Sequence, residues 1–252
     1  AGVAELAEAL PLQVIDPEVH ELVSGGPDGR RRFLDWAAFH VEHGFLAAWR
    51  RYRRALKQRN ASLKQGDGLE AWTQELVQAG ERLDGLRRAV AERSGPVLER
   101  FASEMLGADV GFSYRQGWSQ DKSLAAAVQD SLDRDRQLGS TQAGPHRADL
   151  AIEFDERQAR RLVSRGQQKL LACAMVLGSV EIVQAALGKR LLLLLDDPAA
   201  ELDRVSLGRL MTSVFALDCQ VVATALEPGI LDFPAPPALF HVEHGHLSRA
   251  DG

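Results

Sequence analysis

The chain has 252 residues, 45% apolar and 26% charged with a net charge of −5, which is enough to bury one large core or two moderate ones and too acidic for a uniformly cationic nucleic-acid binder. No uninterrupted apolar run approaches the roughly 18 residues of a membrane span, and the start shows no charged-then-apolar leader pattern. The two cysteines, Cys173 and Cys219, exclude a disulfide scaffold, read as core residues and fit a reducing cytoplasm.

From the N-terminus, residues 12–15 read as a short strand closed by the Asp16-Pro17 turn, and residues 24–29 as a Gly/Pro loop. From Arg31 onward, Phe33, Leu34, Ala37, Ala38, Val41, Phe45, Leu46, Trp49, Tyr52, Leu56 and Leu63 recur at helical spacing, interrupted at Glu42-His43-Gly44, which predicts two helices. Gly66-Asp67-Gly68 closes that segment, and a second long helix over 69–93 carries Trp72, Leu76, Leu83, Leu86 and Val90 on one side. Two long helices joined by a short Gly turn pack antiparallel as a helical hairpin. Ser94-Gly95-Pro96 predicts a break before a short helix over 97–106, residues 110–114 alternate like an edge strand, and 123–138 is helical again. After Gly139 the pattern becomes strand 150–154, helix 164–186, strand 191–195, helix 206–216 and strand 220–224, an alternation that predicts a parallel α/β sheet. A terminal hairpin over 240–247 follows.

Chemistry concentrates in three places. Five consecutive leucines, 191–195, predict a strand buried on both faces, and Asp196-Asp197 at its carboxyl end lie where open α/β sheets bind ligands and where a carboxylate can hold Mg²⁺. Upstream, Ser164-Arg165-Gly166-Gln167-Gln168 places a capping-box pair at a helix start, whose unpaired N–H groups and positive dipole end suit a phosphate. Gly166 there would permit a close backbone approach. Third, Arg50, Arg51, Arg53, Arg54, Lys57, Arg59 and Lys64 follow one another with no acidic residue between them, so a local positive field is expected despite the net charge. Their alternative is a solvated helix face. Isolated histidines at 146, 241, 244 and 246 have no Cys or acidic partner at metal-ligand spacing.

The order of these motifs resembles the ABC-type ATPases that act on DNA, and within them the RecF family. The resemblance is carried by the Ser164–Gln167 signature and by Asp196-Asp197 followed by Glu201-Leu202-Asp203. It is supported by Gly144-Pro145-His146-Arg147-Ala148-Asp149-Leu150, by Arg31-Arg32-Phe33-Leu34-Asp35-Trp36 and by the run from Arg50 to Asn60. It extends from about Leu10 to the C-terminus. It implies residues 1–20 as the end of an N-terminal ATPase segment, 21–140 as a helical lobe, and 141–252 as the C-terminal half of an ABC-type ATPase head.

By the same resemblance Asp196 orients Mg²⁺, Asp197 stands where related ATPases place a water-polarising Glu, and Asp203 lies in the D-loop at a subunit interface. Ser164, Gly166 and Gln167 face the ATP held by a partner subunit, so that ATP drives homodimerisation. Further implications are binding of single-strand/double-strand junction DNA, cooperation with RecO and RecR, and a role in recombinational repair and replication restart. Two departures stand out. The sequence contains no G-x-x-x-x-G-K-[ST] phosphate loop, since Gly188-Lys189 runs into Arg190, so the chain reads as a C-terminal portion expected to bind ATP poorly alone. Thr224-Ala225-Leu226-Glu227 stands where many ABC ATPases carry a switch His, which removes one γ-phosphate contact or moves it to Thr224. Two other readings stay open: a DNA- or protein-binding module without catalysis, and a metal-dependent hydrolase built on Asp196, Asp197 and Asp203.

Overall fold

A computed structural model describes residues 2–154, 157–158, 164–200, 202–227 and 229–249. The chain begins with α1 (Val3–Ala9), β1 (Leu12–Ile15), a 3₁₀ turn (Pro17–His20) and α2 (Glu21–Ser24). A helical block follows: α3 (Pro27–Val41), α4 (Phe45–Gln65) and α5 (Leu69–Leu106). Then come β2 (Val110–Arg115), α6 (Leu124–Asp130), α7 (Leu132–Leu138), a 3₁₀ turn (Pro145–Arg147), β3 (Asp149–Phe154) and β4 (Arg157–Gln158). The last part contains α8 (Arg165–Leu187), β5 (Leu192–Leu195), α9 (Arg204–Ala216), β6 (Gln220–Ala223), β7 (Phe240–Glu243) and β8 (His246–Arg249). The architecture is a parallel α/β sheet joined to a mainly helical lobe.

The helical hairpin forms as the periodicity requires: α4 and α5 pack along each other between glycine caps Gly66 and Gly68, both at positive φ. The break expected at Ser94-Gly95-Pro96 does not occur, and α5 continues through Pro96 to Leu106. An interior proline costs a helix about 3 kcal/mol, but Val90, Ala91, Leu98, Phe101, Ala102 and Met105 are buried on both sides of it. Their shared apolar face outweighs the lost backbone bond. The helix expected over 123–138 divides at Ser131 into α6 and α7, and α3 starts at Pro27 inside the expected loop, with the proline in its favoured first-turn position.

The sheet order differs from the sequence expectation. The parallel sheet is β1-β5-β6, with Leu12, Gln13, Val14 and Ile15 aligned on Leu192 to Leu195, and these in turn on Gln220 to Ala223. β3 does not join it. It pairs antiparallel with β2 and β4, because Val110–Arg115 supplies a partner strand of matching length immediately beside it. This second sheet crosses the division drawn at residue 140.

Helix α8 is apolar on all sides and packs against α5, α2, α3 and β1 at the centre of the core. By length and composition it could cross a membrane, but most of it is buried inside the fold. A Cβ on Gly178 would come within 2.8 Å of Leu98 Cδ2, so glycine sets the close approach of α8 to α5. The leucine strand is buried on one face only: Leu193 and Leu195 are covered, whereas Leu192 and Leu194 are half-exposed beside the exposed Val14 and Val222. The terminal hairpin forms as expected, turning on His244 and Gly245 at positive φ.

Candidate functional site

The parallel sheet delivers its acids at the carboxyl end of its central strand. Strand pairing is prolonged on both sides of β5: Asp196 N–H donates to the Ile15 carbonyl at 2.8 Å and Thr224 N–H to the Leu195 carbonyl at 2.8 Å. Asp196 therefore leaves the sheet exposed and fixed at its backbone. Its Oδ1 accepts from the Thr224 hydroxyl at 2.7 Å, and that hydroxyl accepts from Asp197 N–H at 3.0 Å. One hydroxyl thus orders two acids. Asp197 adopts φ 43°, a left-handed conformation that Asp tolerates better than most residues. Its carbonyl accepts from Ala200 N–H at 3.0 Å, closing the turn that follows.

Helix α8 starts on the expected capping box, with Ser164 Oγ accepting from Gln167 N–H at 3.3 Å and Gln167 Oε1 from Ser164 N–H at 2.8 Å. Ser164 and Gln167 are exposed and Gly166 is half-buried, so the start of a long helix faces outward. Lys169, which the sequence reading did not single out, is buried at the next turn and its Nζ donates to the Ala200 carbonyl. The signal was available: a lysine opening an otherwise continuous apolar stretch, Leu170 to Leu177.

Asp203, expected at an interface, caps α9 with both carboxylate oxygens. Oδ1 accepts from Val205 and Ser206 N–H at 2.9 Å each, and Oδ2 from Ser206 Oγ at 2.8 Å. The Ser206 bonds hold its carboxyl below the usual carboxylate range. Glu201 of the same motif lies outside the described residues. Among the described residues no three His, Cys, Asp or Glu side chains gather as metal ligands. The donor set at Asp196, one carboxylate with an adjacent hydroxyl and free access to solvent, suits Mg²⁺, which uses one or two carboxylates together with water and phosphate oxygens. A recess of about 760 Å³ lies between α9 and residues 229–234, lined by Leu207, Met211, Phe215, Ile230 and Phe233, with Ala199 and Leu202 of the loop after the acids also in its lining and neither Asp196 nor Asp197 among them.

The cationic run divides by helix face. Arg50, Arg53, Arg54 and Lys57 are exposed on α4, and Arg53 stacks 4.6 Å from the Trp49 ring centre. Arg51 is exposed but engaged, bonding Glu75 at 2.6 and 2.7 Å and Gln78 at 3.2 Å from α5. The acidic partner absent along α4 is supplied by the facing helix.

Arg59 leaves the set altogether. It is 0% exposed and bonds Asp135, also 0% exposed, at 2.7 Å, with Thr141 at 2.7 Å and Thr73 at 3.0 Å. The physical reason is its spacing. Phe45, Ala48, Tyr52, Ala55, Arg59 and Ser62 form the buried stripe of α4, so position 59 faces the core whatever its charge.

The Gly144–Asp149 segment, whose chemistry the sequence did not disclose, ties the helical lobe to β3. Arg87 bonds Asp35 at 2.7 and 2.9 Å and the Pro145 carbonyl at 2.6 Å. Arg30 holds Asp149 at 2.8 and 3.0 Å, and Arg31 reaches the Ala148 carbonyl at 2.5 Å. His146 uses both ring nitrogens internally, on Tyr52 and Thr141. Gly117, at φ 90°, lies so close that a Cβ there would meet the Gly144 carbonyl at 2.4 Å.

No protein-family model matches the chain. Curated proteins do. The DNA replication and repair protein RecF of Stutzerimonas stutzeri (strain A1501) is 41% identical over 261 residues, spanning 99% of this chain and 70% of that protein. The protein of the same name from Pseudomonas aeruginosa (strain LESB58) is 41% identical over 258 residues, spanning 98% and 69%. Two solved structures, of the recombination mediator protein RecF with ATPrS and with ATP in the RecFOR pathway, both give a TM-score of 0.85. They are 22% and 23% identical and cover 99% and 98% of this chain, against 70% and 69% of theirs, which speaks for a common fold. With 41% identity over 99% of its length to a relative of which it covers 70%, the chain belongs to the RecF family.

Proposed function

We propose that this chain is the signature, acidic-pair and helical-lobe part of an ATP-dependent DNA-binding protein of recombinational repair and replication restart, working in the reducing cytoplasm. The observation that carries the reading is the pairing of an outward-facing helix start at Ser164 with acids ordered by Thr224 at the end of β5. Ser164, Gly166 and Gln167 offer N–H groups and a dipole end to the terminal phosphate of an ATP seated on a second copy. Asp196, with the Thr224 hydroxyl beside it, would hold Mg²⁺, and the cation would supply positive charge against the phosphates. Asp197 orients the attacking water. Its side chain is one methylene shorter than a glutamate and its backbone is fixed by Thr224, so proton abstraction is inefficient and hydrolysis slow. Asp203 serves the interface through the loop it anchors at α9.

DNA phosphates lie on Arg50, Arg53, Arg54 and Lys57, contacts that position a duplex or junction without reading its sequence. RecO and RecR are the partners that family membership suggests. A hydrolase using Asp203 as a cation ligand is disfavoured, since among the described residues it gathers with no other acids or histidines into a ligand group.

The experiment is sedimentation of the protein that carries this segment together with its phosphate-binding segment, with and without ATP and Mg²⁺. Wild type is expected to dimerise only with nucleotide, and Ser164→Arg to remain monomeric. Nucleotide-dependent dimerisation of Ser164→Arg at wild-type concentrations would refute the assignment in trans.

A further inference from the structure

Lys169 is 1% exposed, among the most deeply buried large side chains of the molecule. Its stem runs through the core beside Cys173, one turn along α8, and its Nζ ends on the carbonyl of Ala200. Among the described residues that carbonyl is its one hydrogen-bond partner. A methionine would fill the same space without a buried polar atom to satisfy, so packing alone does not account for a lysine here.

Its partner is a backbone atom in the loop between the acidic pair and α9. Ala200 N–H closes the turn on Asp197 at 3.0 Å, and three residues further Asp203 caps α9. On the other side Lys169 lies within the first two turns of the helix that Ser164 caps. The Lys169 amino group therefore joins the helix start that faces outward to the turn that begins at Asp197.

We propose that Lys169 is a positioning residue that locks the turn from Asp197 to Ala200 to the start of α8, so that the Ser164 surface and the Asp196-Asp197 pair move as one body. The part concerning nucleotide rests on the function proposed above; the lock itself does not. When a phosphate engages Ser164 and the α8 N-terminus, any shift of that helix start is passed through Lys169 Nζ to the Ala200 carbonyl and then to the Asp197 turn.

The test compares wild type with Lys169→Met, which keeps length and apolar volume, and with Lys169→Arg, which keeps the donor. Amide hydrogen exchange on this chain reads the lock without nucleotide. In Lys169→Met, exchange at the Ala199 and Ala200 amides is expected to quicken by about tenfold, the loss of one buried hydrogen bond, while α8 amides 172–180 keep wild-type protection. Lys169→Arg is expected to restore much of the loop protection. Loop exchange unchanged in a folded Lys169→Met overturns the proposal. Loss of protection across α8 as well overturns it too, since Lys169 would then be a general core residue.

In the nucleotide-competent protein Lys169→Met is expected to lower kcat about tenfold with little change in KM. Unchanged kcat there refutes the coupling. If wild type itself shows no ATP-driven dimer, the proposed function fails while the exchange result still decides the lock.

Discussion

The Tyr52 hydroxyl donates to His146 Nδ1 at 2.6 Å, and His146 Nε2 donates to the Thr141 carbonyl at 2.9 Å. A carbonyl can only accept, so the proton sits on Nε2 and the ring is held as one neutral tautomer. Burial pushes the His146 pKa down to about 4, against an ordinary 6.5, and the Tyr52 hydroxyl is driven well above its usual range by the same cause.

Acid sensitivity follows from this pair. Because the folded pKa is depressed, the unfolded chain takes up a proton first, and stability is fully present above pH 6.5 and lost as pH falls towards 4. The full loss from this one group is about 3 kcal/mol. Melting temperature measured across that interval should fall on acidification, and His146→Gln should flatten the slope. A wild-type slope in His146→Gln would place the acid-sensitive group elsewhere.

Arg59 should behave as a structural residue. Removing one member of the buried Arg59–Asp135 pair leaves the other without its counter-charge, a cost of about 3–5 kcal/mol. Urea unfolding of Arg59→Met and of Asp135→Asn should show losses of that order, against less than about 0.5 kcal/mol for the exposed Arg54→Met. Equal, small losses at positions 54 and 59 would contradict the buried pair.

The sequence made legible what depends on local pattern. The Ser164–Gln167 cap, the Asp196-Asp197 strand end, the α4–α5 hairpin and the His244-Gly245 turn each follow from residue spacing or turn chemistry. What it concealed depends on partners distant in the chain. Pro96 is tolerated because α8 supplies a packing surface about 80 residues away, and β3 chooses β2 over the parallel sheet because of a neighbour across the division at 140. Glu75 neutralises Arg51 from the facing helix. Arg59 is the exception, since the stripe through Tyr52 and Ala55 places it on the core face whatever its charge.

Thr224 should matter to both acids. Thr224→Val keeps the shape of the side chain and removes the bonds to Asp196 Oδ1 and Asp197 N–H. Loss of one such partner costs about 1 kcal/mol or more, so Mn²⁺ affinity in the presence of ATP, read by electron paramagnetic resonance on the nucleotide-competent protein, should weaken by about fivefold to tenfold. Thr224→Ser should restore it, and Asp196→Asn should abolish both the metal signal and hydrolysis while leaving the fold intact. Equal metal affinity in Thr224→Val and wild type would deny the hydroxyl any part in ordering Asp196.

DNA affinity tests the face of α4 against its neighbours. Arg50, Arg53, Arg54 and Lys57 are exposed and have no ion-pair partner among the described residues, whereas Arg51 is held by Glu75. With a slope of roughly −0.9 per neutralised phosphate, losing three or four contacts in the quadruple alanine variant should flatten the plot of log K against log salt by about 3 units. Arg51→Ala should change it by less than about 1 unit, because Arg51 gives up an existing ion pair before it meets a phosphate. Preference for junction over duplex should change less than affinity, since phosphate contacts carry position and not sequence. An unchanged slope in the quadruple variant, with helicity intact by circular dichroism, would make this run a solvated face and move the DNA surface to another part of the protein.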